Sequence, residues 1–118
     1  MSQNSPSPQA VVQENLDFYN KRNLDGFMSS FSPEIALYTF GKSEPIAQGL
    51  SAIRELYGKL FEDSPELYST ILHRAVLGNK VIDHESITGR KGSKTPIELV
   101  MIYEVKDGKI VKMTVVRE

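Results

Sequence analysis

Cysteine and tryptophan are absent from this 118-residue chain, and histidine occurs only twice. The lack of cysteine excludes disulfides, thiolate nucleophiles and cysteine-ligated metal sites. The two histidines, His73 and His84, lie apart in the sequence and are a poor basis for a metal centre. We therefore predict neither a metal site nor a cofactor.

The chain also lacks an excess of charge and long apolar runs. Its formal net charge is -1 without a basic stripe, which argues against nucleic acid and anionic membranes as partners. No apolar run approaches the roughly 20 residues that span a bilayer. The first residues, SQNSPSPQ, have neither the positive charge nor the apolar stretch of a signal peptide. We expect a cytoplasmic protein.

The composition that is present is typical of a globular protein, with 40% hydrophobic and 25% charged residues. Residues 1–8 predict a disordered tail and residues 9–118 a single domain. Periodicity and turn residues predict helices over 8–22, 24–31 and 50–61, strands over 35–40 and 67–77, and a closing meander of three strands. This order predicts an α+β fold in which helices cover one face of a curved antiparallel sheet.

The last two strands are joined by Asp107-Gly108, a two-residue hairpin signal. In such a hairpin, residues whose numbers sum to about 215 face each other, which places Glu98 opposite Arg117. The loop before the penultimate strand predicts a sum of about 184, which places His84 opposite Val100. A slip of one residue would reverse the faces.

Both faces of the meander carry apolar side chains, and helices can cover only one of them. The second apolar face is larger than a monomer usually leaves exposed, which predicts a homodimer through the sheet. The alternative is that a terminal segment of the chain covers this face.

Three segments carry a resemblance to a known family: VVQENLDFYNKRNLDGFMSSF, then KSEPIAQG followed by AIRELY, and finally MIYEVKDGKIVKM. In order and spacing they resemble the nuclear transport factor 2-like superfamily, in its SnoaL-like and ketosteroid isomerase-like branch. The resemblance spans nearly everything from Val11 to Val116. It implies a cone-shaped α+β barrel (a cystatin-like fold), a deep pocket between helices and concave sheet, and usually a dimer through the sheet.

The catalytic residues of the isomerases do not carry over to this sequence. Their first-helix tyrosine matches Asn15, their aspartate base matches Thr39, and their neutral aspartic acid matches Val100. Only Tyr57 matches a tyrosine that supports that site. The resemblance therefore implies the pocket without the isomerase chemistry.

Limonene epoxide hydrolases of the same superfamily use an Asp-Arg-Asp arrangement to activate water. The matching positions are Ser86, Thr88 and Val115, and none of them is charged. The comparison still implies that these matched positions face the pocket. By strand alternation, His84 and Glu98 then face it as well.

His84 is the best candidate for acid–base chemistry, because the ordinary pKa of histidine is about 6.5. The alternative is a structural histidine bonded to Glu98, Ser86 or the backbone. Glu98 is the only carboxylate placed centrally on the pocket face, which makes it a candidate base. The alternative for Glu98 is a cross-strand ion pair with Arg117.

Further side chains are candidates for lining the pocket: Asn15, Tyr19, Thr39, Tyr57, His73, Ser86, Val100 and Val115. Tyrosine suits a pocket wall because one end is apolar and the other needs a partner, although core packing is the alternative. Asp83 and Glu85 fall on the opposite face, at a rim or dimer interface. The Asp-His-Glu run around His84 therefore does not indicate a metal site.

Two functions fit these observations. The first is an apolar pocket for a small, weakly polar molecule, with isomerase-, hydrolase- or cyclase-like chemistry at His84 and Glu98. Asn15 and Tyr57 would then hold an oxygen of that molecule. The second is a non-catalytic dimeric ligand-binding or scaffold module, since fold alone does not decide function.

Overall fold

The computed structural model describes residues 6–118. Its elements are α1 (Pro8–Asn20), α2 (Leu24–Met28), β1 (Phe31–Thr39), β2 (Pro45–Gln48), α3 (Leu50–Asp63), β3 (Tyr68–Leu77), β4 (Lys80–Thr88), a 3-10 turn (Arg90–Gly92), β5 (Ile97–Lys106) and β6 (Lys109–Val116). The predicted α+β class is confirmed, and the long helices begin where the apolar periodicity placed them.

The first helix begins inside the segment predicted as a tail. The Ser7 hydroxyl accepts a hydrogen bond from the Ala10 amide at 3.1 Å, which caps the helix. Pro8 takes the first helical position, where its missing N–H is not needed. The rest of the predicted tail, residues 1–5, lies outside the described residues. No helix within residues 6–118 is both long and apolar enough to cross a membrane.

Six strands form one curved sheet in the order β2-β1-β6-β5-β4-β3. Neighbouring strands are antiparallel except β1 and β6, which run parallel, so the wholly antiparallel sheet of the prediction is corrected at this pair. The helices α1 and α3 pack against the strands and bury one face of the sheet, called here the inner face. The opposite face is called the outer face.

An aromatic cluster joins the helices to the inner face. The ring centroid of Phe27 lies 4.6 Å from that of Tyr57 and 5.1 Å from that of Phe31. The ring of Phe61 lies 5.5 Å from the rings of both Phe27 and Tyr19. Tyr57 and Phe61 are one helical turn apart on α3, so the buried stripe of that helix takes part in three of these four contacts. Aromatic pairs in such tilted and edge-on arrangements contribute about 1 kcal/mol each beyond their buried area.

The hairpin between β5 and β6 has the predicted turn. Asp107 and Gly108 have φ angles of 52° and 78°, and both are positive as a type I′ turn requires. Next to the turn, Lys106 pairs with Lys109, which agrees with the predicted register.

One extra residue in β6 changes the register just beyond the turn. Glu104 pairs with Lys112, which leaves Val111 as the unpaired residue of a β-bulge. From there on Met101 lies opposite Val115, one position away from the predicted pairing. The constant register predicted from the turn is therefore wrong past the bulge. Because the side-chain period of a strand is two, the single added residue reverses which face the rest of β6 presents.

The strands β4 and β5 pair as predicted, with His84 opposite Val100. Their faces, however, are the reverse of the prediction. The buried residues of β5 are Leu99, Met101, Tyr103 and Val105, and those of β4 are Val81, Asp83, Glu85 and Ile87. Two acidic side chains of β4 thus point to the inner face, and His84 points to the outer face.

Gly89, between β4 and the 3-10 turn, is a position where a side chain has no room. Its φ is +75°, and a Cβ there would lie 2.2 Å from the carbonyl oxygen of Glu66. We expect Gly89→Ala to lower the free energy of unfolding by about 2 kcal/mol or more, through backbone strain and this contact together. Gly92→Ala is the matched control, since Gly92 has a φ of +77° but nothing within 4 Å of its Cβ. Urea unfolding measures both variants, and an equal loss would contradict the close-contact explanation.

Candidate functional site

A cavity of about 530 Å³ lies between α1, α3 and the inner face of the sheet. Its wall is mainly apolar, with contributions from Leu16, Phe27, Leu37, Leu60, Leu99 and Met113. Cavities that hold small molecules measure roughly 300–1,000 Å³ and are lined in this way. The cavity is therefore large enough for a ligand of several rings.

Hydroxyl and amide groups interrupt this apolar wall at a few points. Tyr19 and Tyr57 line the cavity. Within residues 6–118 neither hydroxyl makes a hydrogen bond, and neither oxygen is fully buried. Burial raises the pKa of both hydroxyls well above 10, the ordinary value for tyrosine, so they stay protonated and donate. Asn15 also lines the cavity, but its Nδ2 donates to the carbonyl oxygen of Phe27 at 3.1 Å. This bond ties α1 to α2.

Glu85 is the one acidic side chain that is buried and also lines the cavity, among the residues described. The Ser69 hydroxyl donates to its Oε1 at 2.8 Å. Burial raises the pKa of Glu85 to about 7, and the nearby carboxylate of Asp83 adds to the effect. Hydrogen bonds from Ser69 and Tyr103 and the charge of Arg74 act in the opposite direction. A carboxyl group with this pKa both donates and accepts a proton near neutral pH.

The second inward acid of β4, Asp83, is neutralised by an arginine. Arg74 of β3 donates from Nε to Oδ1 at 2.7 Å and from Nη2 to Oδ2 at 2.9 Å, a two-pronged ion pair. The remaining Nη1 of Arg74 donates to Gln13 on α1 at 2.8 Å. Asp83 does not line the cavity, so we assign the pair to the core and not to the site. Glu85 has no such cation beside it within residues 6–118.

The residues predicted as catalytic lie on the outer face of the sheet. His84 Nε2 and Glu98 Oε1 are 2.7 Å apart, and neither residue lines the cavity. The predicted placement of both in the pocket is wrong, because the inner face of β4 carries Glu85 instead of His84. The contact matches the alternative interpretation of His84 as a bonded structural histidine, and the alternative pairing of Glu98 with Arg117 does not form.

Three further residues predicted for the pocket also face outward. Ser86 and Val100 share the outer face of β4 and β5 with His84, for the same reason of strand alternation. His73 lies there too, and its ring stacks on that of His84 with centroids 5.8 Å apart. A shift of register between Ile71 and His73 moves this part of β3 by one residue, which reverses the face that parity alone predicts.

Four of the predicted lining residues do reach the cavity, namely Asn15, Tyr19, Tyr57 and Val115. Thr39, at the end of β1, does not line it. Ser86 and Thr88, to which the epoxide hydrolase arginine and aspartate were matched, are one position away from the inward residues of β4. Their match to that family's site is therefore corrected as well.

Glu85 is the residue that the sequence interpretation missed, although a signal for it exists. The alternation of Leu99, Met101 and Tyr103 marks the buried face of β5. The register that was correctly predicted pairs Leu99 with Glu85. Taken together, these two observations place Glu85 on the inner face without reference to the hairpin.

Charged side chains surround the entrance of the cavity: Glu55, Lys59, Asp63, Arg90, Lys91 and Arg117. Lys59 and Asp63 form an ion pair at 3.4 Å along α3. Within residues 6–118 no group of three His, Asp or Glu side chains is arranged to hold a metal ion.

A family model for the SnoaL-like domain matches residues 12–113. This range includes all the residues that line the cavity except Val115 and Arg117. The chain belongs to this family. No curated protein matches the chain in sequence.

Several solved structures share the fold of this SnoaL-like domain. An uncharacterised cystatin-fold protein from Novosphingobium aromaticivorans is 18% identical, with a TM-score of 0.86 over 96% of this chain and 100% of its own. An LEH-like epoxide hydrolase from M. tuberculosis is 13% identical, with a TM-score of 0.80 over 94% of this chain and 82% of its own. A protein with a ketosteroid isomerase-like fold from Catenulispora acidiphila, in complex with trimethylamine, is 14% identical, with a TM-score of 0.74 over 93% and 85%. At these identities the likeness shows the fold alone.

The raised pKa of Glu85 makes the stability of the SnoaL-like domain depend on pH. Between 4.5, the ordinary value, and about 7, the folded state binds more protons than the unfolded state. Raising the pH through this window therefore lowers the free energy of unfolding, by about 3 kcal/mol in total, and the loss is complete above about pH 7. Glu85→Gln removes this titration, so its stability relative to the wild type should rise by that amount across the window. Urea unfolding at a series of pH values measures it.

The matched control is Glu98→Gln, which removes a carboxylate from the outer face and leaves the cavity intact. This variant should keep the wild-type decline of stability between about pH 4.5 and pH 7. A Glu85→Gln profile that runs parallel to the wild-type profile would contradict the assignment of the raised pKa to Glu85.

Proposed function

We propose that this SnoaL-like domain binds a small, weakly polar molecule in the cavity and that Glu85 transfers a proton to or from it. The observation that carries the proposal is a buried carboxyl group with a pKa of about 7 in the wall of a 530 Å³ apolar cavity. General acids and bases work best when their pKa lies near the working pH. Strongly shifted carboxyl groups in clefts are candidates for functional sites.

The reaction class that suits these groups is proton abstraction beside a carbonyl, as in an isomerase- or cyclase-like step. Ionised Glu85 takes a proton from the carbon next to the carbonyl. The electron pair of that C–H bond forms a carbon–carbon double bond, and the π pair of the carbonyl moves to its oxygen. The protonated hydroxyls of Tyr19 and Tyr57 donate hydrogen bonds to this oxygen as negative charge collects there. Protonated Glu85 then returns the proton to the same or a neighbouring carbon, and no other reactant is needed.

The roles first assigned to His84 and Glu98 pass to Glu85 in this proposal. Both predicted residues lie on the outer face, where they bond to each other. Asn15 has a structural part as well, because its amide group already donates to the backbone of α2.

The alternative function is ligand binding without catalysis. Of Thr39, Val100 and Val115, which match catalytic residues of known relatives, only Val115 lines the cavity, and its apolar side chain favours this alternative. The structural relative in complex with trimethylamine supports small-molecule binding by the fold, and this complex does not indicate a reaction. A test must therefore separate binding from proton transfer.

The predicted homodimer and the cytoplasmic location stay predictions. The outer face, where the dimer was expected, exposes Leu77 and Ile82 by 79% and 38%. These side chains are the apolar surface that a second copy of the chain would cover in the predicted dimer.

Hydrogen–deuterium exchange of a model ketone tests the proposal without knowledge of the substrate. We expect the wild-type domain to bind 1-tetralone, a two-ring ketone, and to accelerate exchange of the protons beside its carbonyl in D₂O, followed by NMR. Glu85→Gln should reduce this acceleration by about 100-fold or more, because the base is lost. The wild-type rate should rise with pH up to about 7, as Glu85 ionises.

The control for this experiment is again Glu98→Gln, whose exchange rate should equal that of the wild type. Binding of 1-tetralone without any acceleration of exchange would favour the non-catalytic alternative. Equal acceleration by the wild type and Glu85→Gln would refute the role of Glu85.

A further inference from the structure

The entrance of the cavity is more positive than the chain as a whole. Its charged side chains comprise four cations, Lys59, Arg90, Lys91 and Arg117, and two carboxylates, Glu55 and Asp63. The whole chain, by contrast, has a formal net charge of -1. Positive charge is therefore concentrated at the entrance, where it acts on whatever enters.

Three of these cations have no side-chain partner within the described part of the chain, and two of the three are arginines. Lys59 is paired with Asp63 at 3.4 Å, whereas Arg90 and Arg117 form neither an ion pair nor a side-chain hydrogen bond in residues 6–118. Elsewhere Arg54 and Arg74 both bind carboxylates. The guanidinium groups at the entrance are thus available to a ligand.

Backbone contacts and strand position determine the location of the Cα atoms of Arg90 and Arg117. Arg90 follows Gly89, which is pressed against the carbonyl oxygen of Glu66, and the next amide, that of Lys91, donates to the buried Ser64 hydroxyl at 2.8 Å. Arg117 follows β6 directly and comes two residues after Val115, which also lines the cavity. Two separate elements therefore bring a guanidinium to one entrance.

Both charges act on the interior of the cavity. Arg90 and Arg117 each lower the pKa of the Tyr19 hydroxyl and of the Tyr57 hydroxyl, against the larger effect of burial. A positive charge lowers the pKa of a nearby hydroxyl because it stabilises the ionised form. An anion at the entrance would feel the same two charges.

We propose that the ligand carries a carboxylate, or an anionic oxygen group of similar shape, that binds Arg90 and Arg117 while its apolar body fills the cavity. This inference rests on the proposed function and names the substrate class for the same site. Arginine suits the task because its planar fork matches two carboxylate oxygens and its charge does not depend on pH. The carboxylate end of the ligand stays at the entrance, and its uncharged end extends toward Glu85.

A matched pair of probes tests the inference: 1-tetralone-6-carboxylate and its neutral amide, 1-tetralone-6-carboxamide. We expect the wild-type domain to bind the carboxylate about tenfold more tightly than the amide, measured by calorimetry at about pH 6 and low salt. The double variant Arg90→Gln/Arg117→Gln should bring this ratio close to one, because the carboxylate loses more affinity than the amide. The ratio for the wild type should also fall as salt is added, because an exposed ion pair is screened.

Two control variants separate position from net charge. Lys106→Gln removes an exposed cation that does not line the cavity, so the wild-type ratio should remain. Arg90→Lys/Arg117→Lys keeps both charges without the fork, and an intermediate ratio is expected. These lysine variants also keep the test valid if the glutamine variant folds poorly.

The outcomes distinguish the inference from the function on which it rests. Equal affinity for both probes in the wild type, or an unchanged ratio in Arg90→Gln/Arg117→Gln, would overturn the anion site and leave the cavity proposal standing. Failure of the wild type to bind either probe at millimolar concentration would contradict the cavity proposal and, with it, the anion site.

Discussion

The ion pair between Arg74 and Asp83 determines the electrostatics of the inner face. Two carboxyl groups point inward from β4, and within residues 6–118 the one arginine paired with either of them, Arg74, donates two hydrogen bonds to Asp83. Glu85 is left with the hydroxyls of Ser69 and Tyr103, which stabilise its charge less than a cation would. Burial therefore dominates, and the proton stays on Glu85 up to about neutral pH. Glu85 thus keeps its raised pKa because Arg74 is paired with Asp83.

The position of these groups depends in turn on two irregularities in the sheet. The bulge at Val111 brings Met113 and Val115 to the same face as the buried residues of β5, which completes the apolar wall. The register shift before His73 puts this histidine on the outer face beside His84, and it leaves Arg74 beside Asp83. Without these shifts, alternation would mix the polar and apolar residues of the two faces.

The parts of this architecture that depend on short local patterns were predictable from the sequence. The Asp107-Gly108 turn needs two residues that tolerate positive φ, and the α3 stripe needs only a spacing of four. The faces were not predictable in the same way. Ile110 and Val111 are both apolar, and either could occupy the buried position next to the turn. The sequence therefore does not show which residue forms the bulge. On β4, Ile82 is exposed and Ile87 is buried, and hydrophobicity does not choose between the faces.

The site was missed for a related physical reason. Strand alternation from the wrong face assigned Glu85 to a rim or dimer interface. A charged side chain is expected at such a place because burying a charge is costly. The cost disappears when the carboxyl group keeps its proton, so an acid is tolerated inside if its pKa rises. The raised pKa that lowers the free-energy cost of burying the carboxyl group also suits it to proton transfer near neutral pH. In the proposed complex, a neutral acid in the wall and two guanidinium groups at the entrance are separated by apolar lining. A ligand with one anionic end then has a single orientation that satisfies both, and that orientation presents its uncharged end to Glu85.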